Sequence, residues 1–315
     1  MIYIGIDVGG TNLAAGAVDR EGAILARANL PTKPERGDRA VVGDIVRVAD
    51  MALADGGFSR QDVEWIGIGS PGSIDPKKGE IIYANNIPFS HTPMRAWIQE
   101  SWDIPVYIDN DANSAALGEA YAGAARGCET AMLITLGTGI GGGVIIGRRI
   151  YSGFNGAGAE LGHTVIVHEG RLCTCGRKGC WEAYASATAL VDFTREAMER
   201  DRESAMWKLA GSPEKADGRT SFEAAKAGDP SAIAVVDMYI GYLACGLTDM
   251  VNIFQPEVLC LGGGISSQGE GLLAPVRRLV ERDRYTRDNR QTELKLAQLG
   301  NDAGIIGAAV LGAQF

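Results

Sequence analysis

A chain of 315 residues with 46% hydrophobic and 22% charged residues has an ordinary globular composition, which excludes disordered, collagen-like and disulfide-scaffold classes and leaves room for two domains of about 150 residues each. The formal net charge of -9 excludes a sequence-independent grip on nucleic acid, which needs a basic face to displace counterions, and disfavours an acidic membrane surface. Glycine stands apart: the 43 glycines are about twice the usual share, and they gather in short runs that mark loops approaching something closely.

The chain opens on Ile2-Tyr3-Ile4-Gly5-Ile6 with no basic region, long apolar run or cleavage site ahead of it, so a cytoplasmic location is expected. Residues 2–8, 13–18 and 23–30 read as three strands of an antiparallel meander turned at Gly9-Gly10 and Glu21-Gly22. From Asp38 to Ala54, apolar residues at Val41, Val42, Ile45, Val46, Val48 and Ala49 form one helix face, stopped at Asp55-Gly56-Gly57. A buried strand over Val63 to Gly69, a short helix over Met94 to Trp102, a strand over Pro105 to Asp109 and a helix over Asn113 to Ala125 complete a βββαβαβα order.

The second half opens similarly, which suggests duplication. Thr130 to Leu136 predicts a strand, Gly137 to Gly143 a glycine loop, and Val144 to Ile146 with Arg149 to Tyr151 a hairpin around Gly147-Arg148. The polar stretch from Arg202 to Pro230 reads as a surface excursion. Ala232 to Phe254 is apolar and helix-length but carries Asp237 and Asp249, which predicts a buried helix and not a membrane span. A buried strand over Glu257 to Leu261 and a helix from Gly269 to about Arg282 follow.

Three glycine turns end strands. Asp7-Val8-Gly9-Gly10-Thr11-Asn12 puts a carboxylate at a strand end, then backbone amides with no side chain in front of them, then two polar side chains; an ordinary hairpin turn would look the same. Leu136-Gly137-Thr138-Gly139-Ile140-Gly141-Gly142-Gly143 satisfies G-x-G-x-x-G, yet a hairpin follows where a dinucleotide site needs a helix, so a second phosphate-cradling turn fits better. Leu261-Gly262-Gly263-Gly264-Ile265-Ser266 offers flat backbone to a planar ligand. Asp109-Asn110-Asp111-Ala112-Asn113 lies where a strand feeds a helix. One polar residue there is explained as an N-cap; a further carboxylate, its ionised form favoured by the helix dipole, suits a base that takes a proton from an attacking alcohol.

The most specific pattern runs from Gly158-Ala159-Glu160-Leu161-Gly162-His163 to Cys173-Thr174-Cys175-Gly176-Arg177-Lys178-Gly179-Cys180-Trp181-Glu182. Three thiols and an imidazole make a Cys3His set, a closed tetrahedral complement for structural zinc with no open position for a catalytic water. His168 competes with His163; His163 is preferred because it follows Glu160 in a glycine-bracketed turn, whereas His168 continues a strand expected over Thr164 to Val167. The other cysteines, Cys128, Cys245 and Cys260, are scattered, so a metal site in a reducing compartment is expected and not three disulfides.

Together these motifs resemble the bacterial sugar kinases of the ROK family over nearly the whole chain. Asp7 to Asn12 is similar to the family's first phosphate motif, Leu136 to Gly143 to the second, Leu261 to Ser266 to the adenosine motif, and Asn110-Asp111 to the catalytic pair. The cluster Cys-Gly-x-x-Gly-Cys-Trp-Glu-x-Tyr-Ala-Ser is similar to the glucokinase members. The resemblance implies an α/β, actin-like ATPase (hexokinase or ribonuclease H-like) fold with two α/β domains around a cleft, divided as 1–115 plus 303–315 and 116–302. It implies ATP-dependent phosphorylation of glucose at the 6-hydroxyl with Asp111 as general base. Asn110, Glu160, His163, Glu182 and Gly72 would contact sugar. Asp7 would help place Mg2+, with Gly9, Gly10, Thr11, Asn12, Thr138 and Gly139 at the ATP phosphates and Gly263 near the adenosine. His163, Cys173, Cys175 and Cys180 would hold the structural Zn2+. A homodimer or higher homo-oligomer is also implied, with no nucleic-acid or membrane partner. The alternatives are a kinase for another hexose or N-acetylhexosamine (fructose, mannose, allose, N-acetylglucosamine, N-acetylmannosamine) and a non-catalytic sugar-sensing regulator. Family repressors carry a DNA-binding segment ahead of the first phosphate motif, and the chain has three residues before Ile4, which favours the enzyme.

Overall fold

A computed structural model describes residues 1–314. The amino-terminal meander forms as β1 (Ile2–Val8), β2 (Asn12–Val18) and β3 (Ile24–Pro31), followed by α1 (Asp38–Gly56) and β4 (Val63–Ser70). Three short strands, β5 (Ser73–Asp75), β6 (Glu80–Tyr83) and β7 (Ser90–Thr92), make a separate antiparallel sheet. Next come α2 (Met94–Gln99), β8 (Val106–Asn110) and α3 (Asp111–Ala122). The first five-stranded sheet has the order β3-β2-β1-β4-β8, with β4 parallel to β1 and β8 parallel to β4.

The chain continues with β9 (Thr130–Leu136), β10 (Ile140–Ile146) and β11 (Arg149–Ile150), then α4 (Glu182–Ala185), α5 (Ala187–Arg200), α6 (Ala205–Ala210), α7 (Thr220–Lys226) and α8 (Pro230–Phe254). It closes with β12 (Val258–Gly262), α9 (Glu270–Asp283), β13 (Glu293–Leu296) and α10 (Asp302–Ala309). The second five-stranded sheet has the order β11-β10-β9-β12-β13. Two compact units result, one of residues 1–133, 143–159 and 297–314, the other of 134–142 and 160–296.

In the first unit, strand alternation sorts the two faces of the sheet. Ile4, Ile6, Ile66 and Ile68 are fully buried in one core with Val41, Ile45 and Val48 of α1. The glycine between each isoleucine pair opens the other face to α10, which lies so close that a Cβ on Gly67 would sit 1.7 Å from the carbonyl oxygen of Ala308. The α3–α10 crossing is equally tight, since a Cβ on Gly307 would lie 1.6 Å from the Ser114 carbonyl oxygen. This packing keeps α3 whole within the first unit, so the border expected at 115/116 falls inside a helix. It also places the carboxy-terminal segment, from residue 297 onward, in the first unit.

In the second unit, α8 starts at Pro230 with Asp229 as N-cap, its side chain accepting the Ala232 N–H at 2.8 Å. By length and composition α8 would suffice to cross a membrane, yet Val235, Tyr239, Leu243, Leu247 and Val251 are buried and the helix packs on α5, α7 and α9. That agrees with the sequence expectation of a buried helix.

Three local expectations need correction. The 202–230 segment is not a bare excursion: it carries α6 and α7 around a small core of Met198, Met206, Ala216, Ala224 and Ala232, organised by Asp229, which also accepts from Ser204 Oγ at 3.1 Å and the Ala205 N–H at 2.7 Å. Thr164 to Val167 is not a strand; only a single bridge between Val165 and Cys180 forms, because the backbone turns to close the cysteine cluster. The glycine loop ends at Gly139, since Ile140 to Gly143 already pair as part of β10.

Candidate functional site

The candidate residues divide between the two units. In the first, the β1–β2 turn is closed by the Gly9 N–H to the Asn12 carbonyl at 2.9 Å and held from outside by Thr32, whose hydroxyl donates to the Gly9 carbonyl at 2.6 Å and whose N–H donates to that of Thr11 at 3.1 Å. Thr32 is fully buried and the Thr11 and Asn12 side chains are exposed, so the turn is fixed while its polar side chains stay available. Sequence reasoning missed Thr32, which lies at the end of a strand two away in the sheet and carries no local signal.

Asp7 ends β1 beside the first turn of α10, where a Cβ on Gly304 would lie 2.8 Å from its carboxyl carbon. Burial, with repulsion from the Asp111 carboxylate added, pushes the Asp7 carboxyl up to about 6. Asp111 is the first residue of α3, and its Oδ1 accepts the Ala112 N–H at 2.8 Å. The helix start does favour the ionised form, but burial outweighs it and raises the Asp111 carboxyl above the ordinary aspartate value. Two buried, mutually repelling carboxyls fit a divalent cation of the Mg2+ class, whose charge would relieve both.

Asn110 is the N-cap of α3: its Oδ1 accepts from the Ala112 and Asn113 N–H groups at 2.9 and 3.3 Å, and its Nδ2 donates to the Gly72 carbonyl at 3.3 Å. Gly72, at φ +105°, is thereby brought to the Asn110-Asp111 corner. Asp109 accepts from the Asn110 N–H at 2.7 Å and from Asn113 Nδ2 at 2.8 Å, which locks the strand-to-helix corner. The cluster of four polar residues thus separates into three that build the corner and one, Asp111, whose carboxyl accepts at the first turn of α3.

In the second unit, β9 ends at Leu136 and the Gly137–Gly139 turn is clasped by the helices after the cysteine cluster. The Ala187 N–H donates to the Gly137 carbonyl at 2.8 Å, Thr188 Oγ1 to the Thr138 carbonyl at 2.8 Å, and the Ile140 N–H to Glu182 Oε2 at 3.0 Å. Gly139 must be glycine here, because a Cβ would lie 2.2 Å from Glu182 Oε2. The other Glu182 oxygen accepts from Thr174 Oγ1 at 3.1 Å and lies 3.5 Å from Cys173 Sγ. Glu182 therefore joins the cysteine cluster to the Gly137–Gly139 turn, a link that spacing alone does not show. A cavity of about 450 Å³ opens beside Thr138, Cys173, Thr174, Glu182, Ser186 and Thr188. Gly263, at φ +84°, lies against Leu136, where a Cβ would be 2.5 Å from the carbonyl oxygen. Glu160 is exposed and begins the turn to His163, its carbonyl accepting the His163 N–H at 3.1 Å.

His163, Cys173, Cys175 and Cys180 bring their ligand atoms within 4.8 Å of one another. Cys175 Sγ and Cys180 Sγ are 3.7 Å apart, and Cys173 Sγ and His163 Nδ1 3.6 Å. A tetrahedral zinc at about 2.3 Å from sulfur and 2.0–2.1 Å from nitrogen requires edges of about 3.8 and 3.5 Å, so this donor set fits the ion. His168 is exposed and outside the group.

The sequence profile of the ROK family matches residues 3–314. A glucokinase of Thermotoga maritima is 40% identical over 97% of this chain and 95% of its own length, and one of Halalkalibacterium halodurans is 37% identical over 98% and 94%. Among solved structures, a ROK family glucokinase from Streptomyces griseus in complex with glucose and AMPPNP is 38% identical, with a TM-score of 0.82 over 100% of both chains. By fold, by motif order and by these likenesses along its whole length, the chain belongs to the ROK family.

Proposed function

We propose that this protein is an ATP-dependent hexose kinase that transfers the γ-phosphoryl group to the 6-hydroxyl of glucose. The observation that carries the reading is Asp111: a carboxyl at the start of α3, raised by burial, with Oδ1 accepting the Ala112 N–H. Likeness to the glucokinases supports the choice of sugar.

Asp111 takes the proton from the attacking hydroxyl, and its raised affinity for protons makes it a better base than an exposed aspartate. Asn110 and Gly72 contact the sugar, Glu160 and Glu182 accept from ring hydroxyls, since a carboxylate accepts two charge-assisted hydrogen bonds, and His163, whose Nδ1 faces the cysteine cluster, donates from Nε2. Gly9, Gly10, Thr11, Asn12, Thr138 and Gly139 present backbone and hydroxyl donors to the phosphates, with Gly263 near the adenosine. Mg2+, placed with the help of Asp7, neutralises phosphate charge when bound. Zn2+ in the Cys3His set would hold the 160–182 segment in shape and leave no open coordination position for chemistry. A homodimer or higher homo-oligomer accompanies this reading and is measured by light scattering.

A coupled assay of ADP formation over glucose, mannose, fructose, allose, N-acetylglucosamine and N-acetylmannosamine tests the reading. Glucose should give the highest kcat/KM, and Asp111→Ala should lower kcat by about 10²- to 10⁴-fold with glucose binding retained. Silence across the panel in folded protein overturns the enzyme, and near-normal turnover of the variant removes Asp111 from its role.

A further inference from the structure

The first unit contains a second cavity, of about 460 Å³, built at the end of α3 away from Asp111. Its lining includes Arg20 from the β2–β3 turn, Leu117 and Tyr121 of α3, Arg126 after that helix, Arg148 from the β10–β11 turn and Gln314 at the carboxy-terminal turn. None of the phosphate-type turns, the catalytic corner or the cysteine cluster contributes to it.

Three features set this cavity apart from an incidental surface hollow. Gln314 is oriented by the Ile150 N–H, which donates to its Oε1 at 3.0 Å, and the amide nitrogen this leaves, Nε2, is buried without a partner. A buried unmatched donor is destabilising unless something accepts from it. Arg148 follows Gly147 in a turn where both residues have positive φ, +60° and +64°, a position that favours glycine or asparagine. A long cationic side chain kept in that conformation points to a role for the side chain. Finally, neither Arg126 nor Arg148 forms an ion pair among the described residues, whereas Arg20 is tied to Glu64 at 3.3 Å and the Tyr121 hydroxyl is spent on the Arg20 carbonyl. The groups left over are donors, Gln314 Nε2 and two guanidinium groups, and Glu21 is the one carboxylate in the lining.

We infer that this cavity is a binding site for a small organic phosphate monoester, separate from the sugar and ATP site. A dianionic phosphate accepts from every leftover donor, and guanidinium groups match its oxygens in pairs. The volume lies in the range of small-molecule sites and exceeds what inorganic phosphate fills, while Leu117 and the alanines beside it cover the organic body. The inference does not depend on the kinase reading, because its test is binding and not turnover.

Glycerol 3-phosphate is the probe, titrated into the full-length protein without sugar or nucleotide and followed by calorimetry and by Tm. Wild-type protein should bind it and gain Tm with concentration, as linkage requires, and should bind inorganic phosphate at least tenfold more weakly. Arg126→Ala combined with Arg148→Gly should bind the probe at least tenfold more weakly, with an unliganded Tm no lower than wild type because the strained position has been relieved. If that pair fails to fold, Arg126→Ala alone should weaken binding at least fivefold. Absence of probe binding, equal binding by the folded variant, or inorganic phosphate binding as tightly as the monoester overturns the inference.

Discussion

Asp7 offers a test in which function and stability move in opposite directions. Its carboxyl titrates at about 6 in the folded chain against 3.8 for an ordinary aspartate. A carboxyl whose folded pKa lies above its unfolded value costs stability once pH exceeds the folded value, and the cost vanishes below the unfolded one. The gap is about two pH units, and at about 1.4 kcal/mol for each the cost at neutral pH is about 3 kcal/mol. Asp7→Asn keeps the shape beside Gly304 and removes the charge. Measured in EDTA without ligands, the variant should melt about 6 °C above wild type near pH 7.5, taking about 2 °C for each kcal/mol in a chain of this size. Its advantage should shrink to about 1 kcal/mol near pH 4.5, where the folded wild type is already protonated. The same variant should lose phosphoryl transfer, as expected for a site that holds destabilising charge for its chemistry. A variant that melts at or below wild type near pH 7.5, or whose gain does not change with pH, would refute the argument that burial and Asp111 load this residue.

Other consequences can be read from single contacts. Cys175→Ser removes one of four ligands, so zinc per chain by elemental analysis should fall from about one toward zero and stability should drop by at least about 2 kcal/mol; wild-type protein that purifies without zinc would remove the assignment. Gly139→Ala forces Glu182 off the Ile140 N–H, a charge-assisted bond of about 1.5–3 kcal/mol, and should lower kcat/KM for ATP roughly 10- to 100-fold while leaving zinc in place; an unchanged value means the clasp is idle. Gly307→Ala drives a methyl into the Ser114 carbonyl and should cost about 3 kcal/mol by separating α3 from α10. A Tm within about 2 °C of wild type would show that the crossing yields.

Much of the architecture is legible because local physics and tertiary environment agree. The meander of β1 to β3, the amphipathic α1 and the buried strands β4, β9 and β12 follow from hydrophobic period and glycine punctuation, which survive in any context. The small sheet of β5 to β7, the edge strand β13 and the helix α10 were not anticipated. The strands are three or four residues long, too short for a period to register, and α10, Asp-Ala-Gly-Ile-Ile-Gly-Ala-Ala, is apolar on all sides because it is buried on all sides.

For the candidate site, the residue types alone determined which chemistry was available: glycine turns that expose backbone donors, a carboxylate at a strand-to-helix corner, and a Cys3His set. Tertiary structure decided how each is used. Burial turned the Asp111 carboxyl upward against the helix start, a balance that depends on what covers the residue and not on its neighbours in sequence. It selected His163 over His168 by placing one imidazole and not the other beside Cys173. It gave Glu182 a second task, since only the folded chain brings Thr174 and Ile140 to the two oxygens of one carboxylate. Sequence order fixes which groups exist and which turns can form, while distance and desolvation, which set the strength of every polar interaction, arise only when remote segments are packed together.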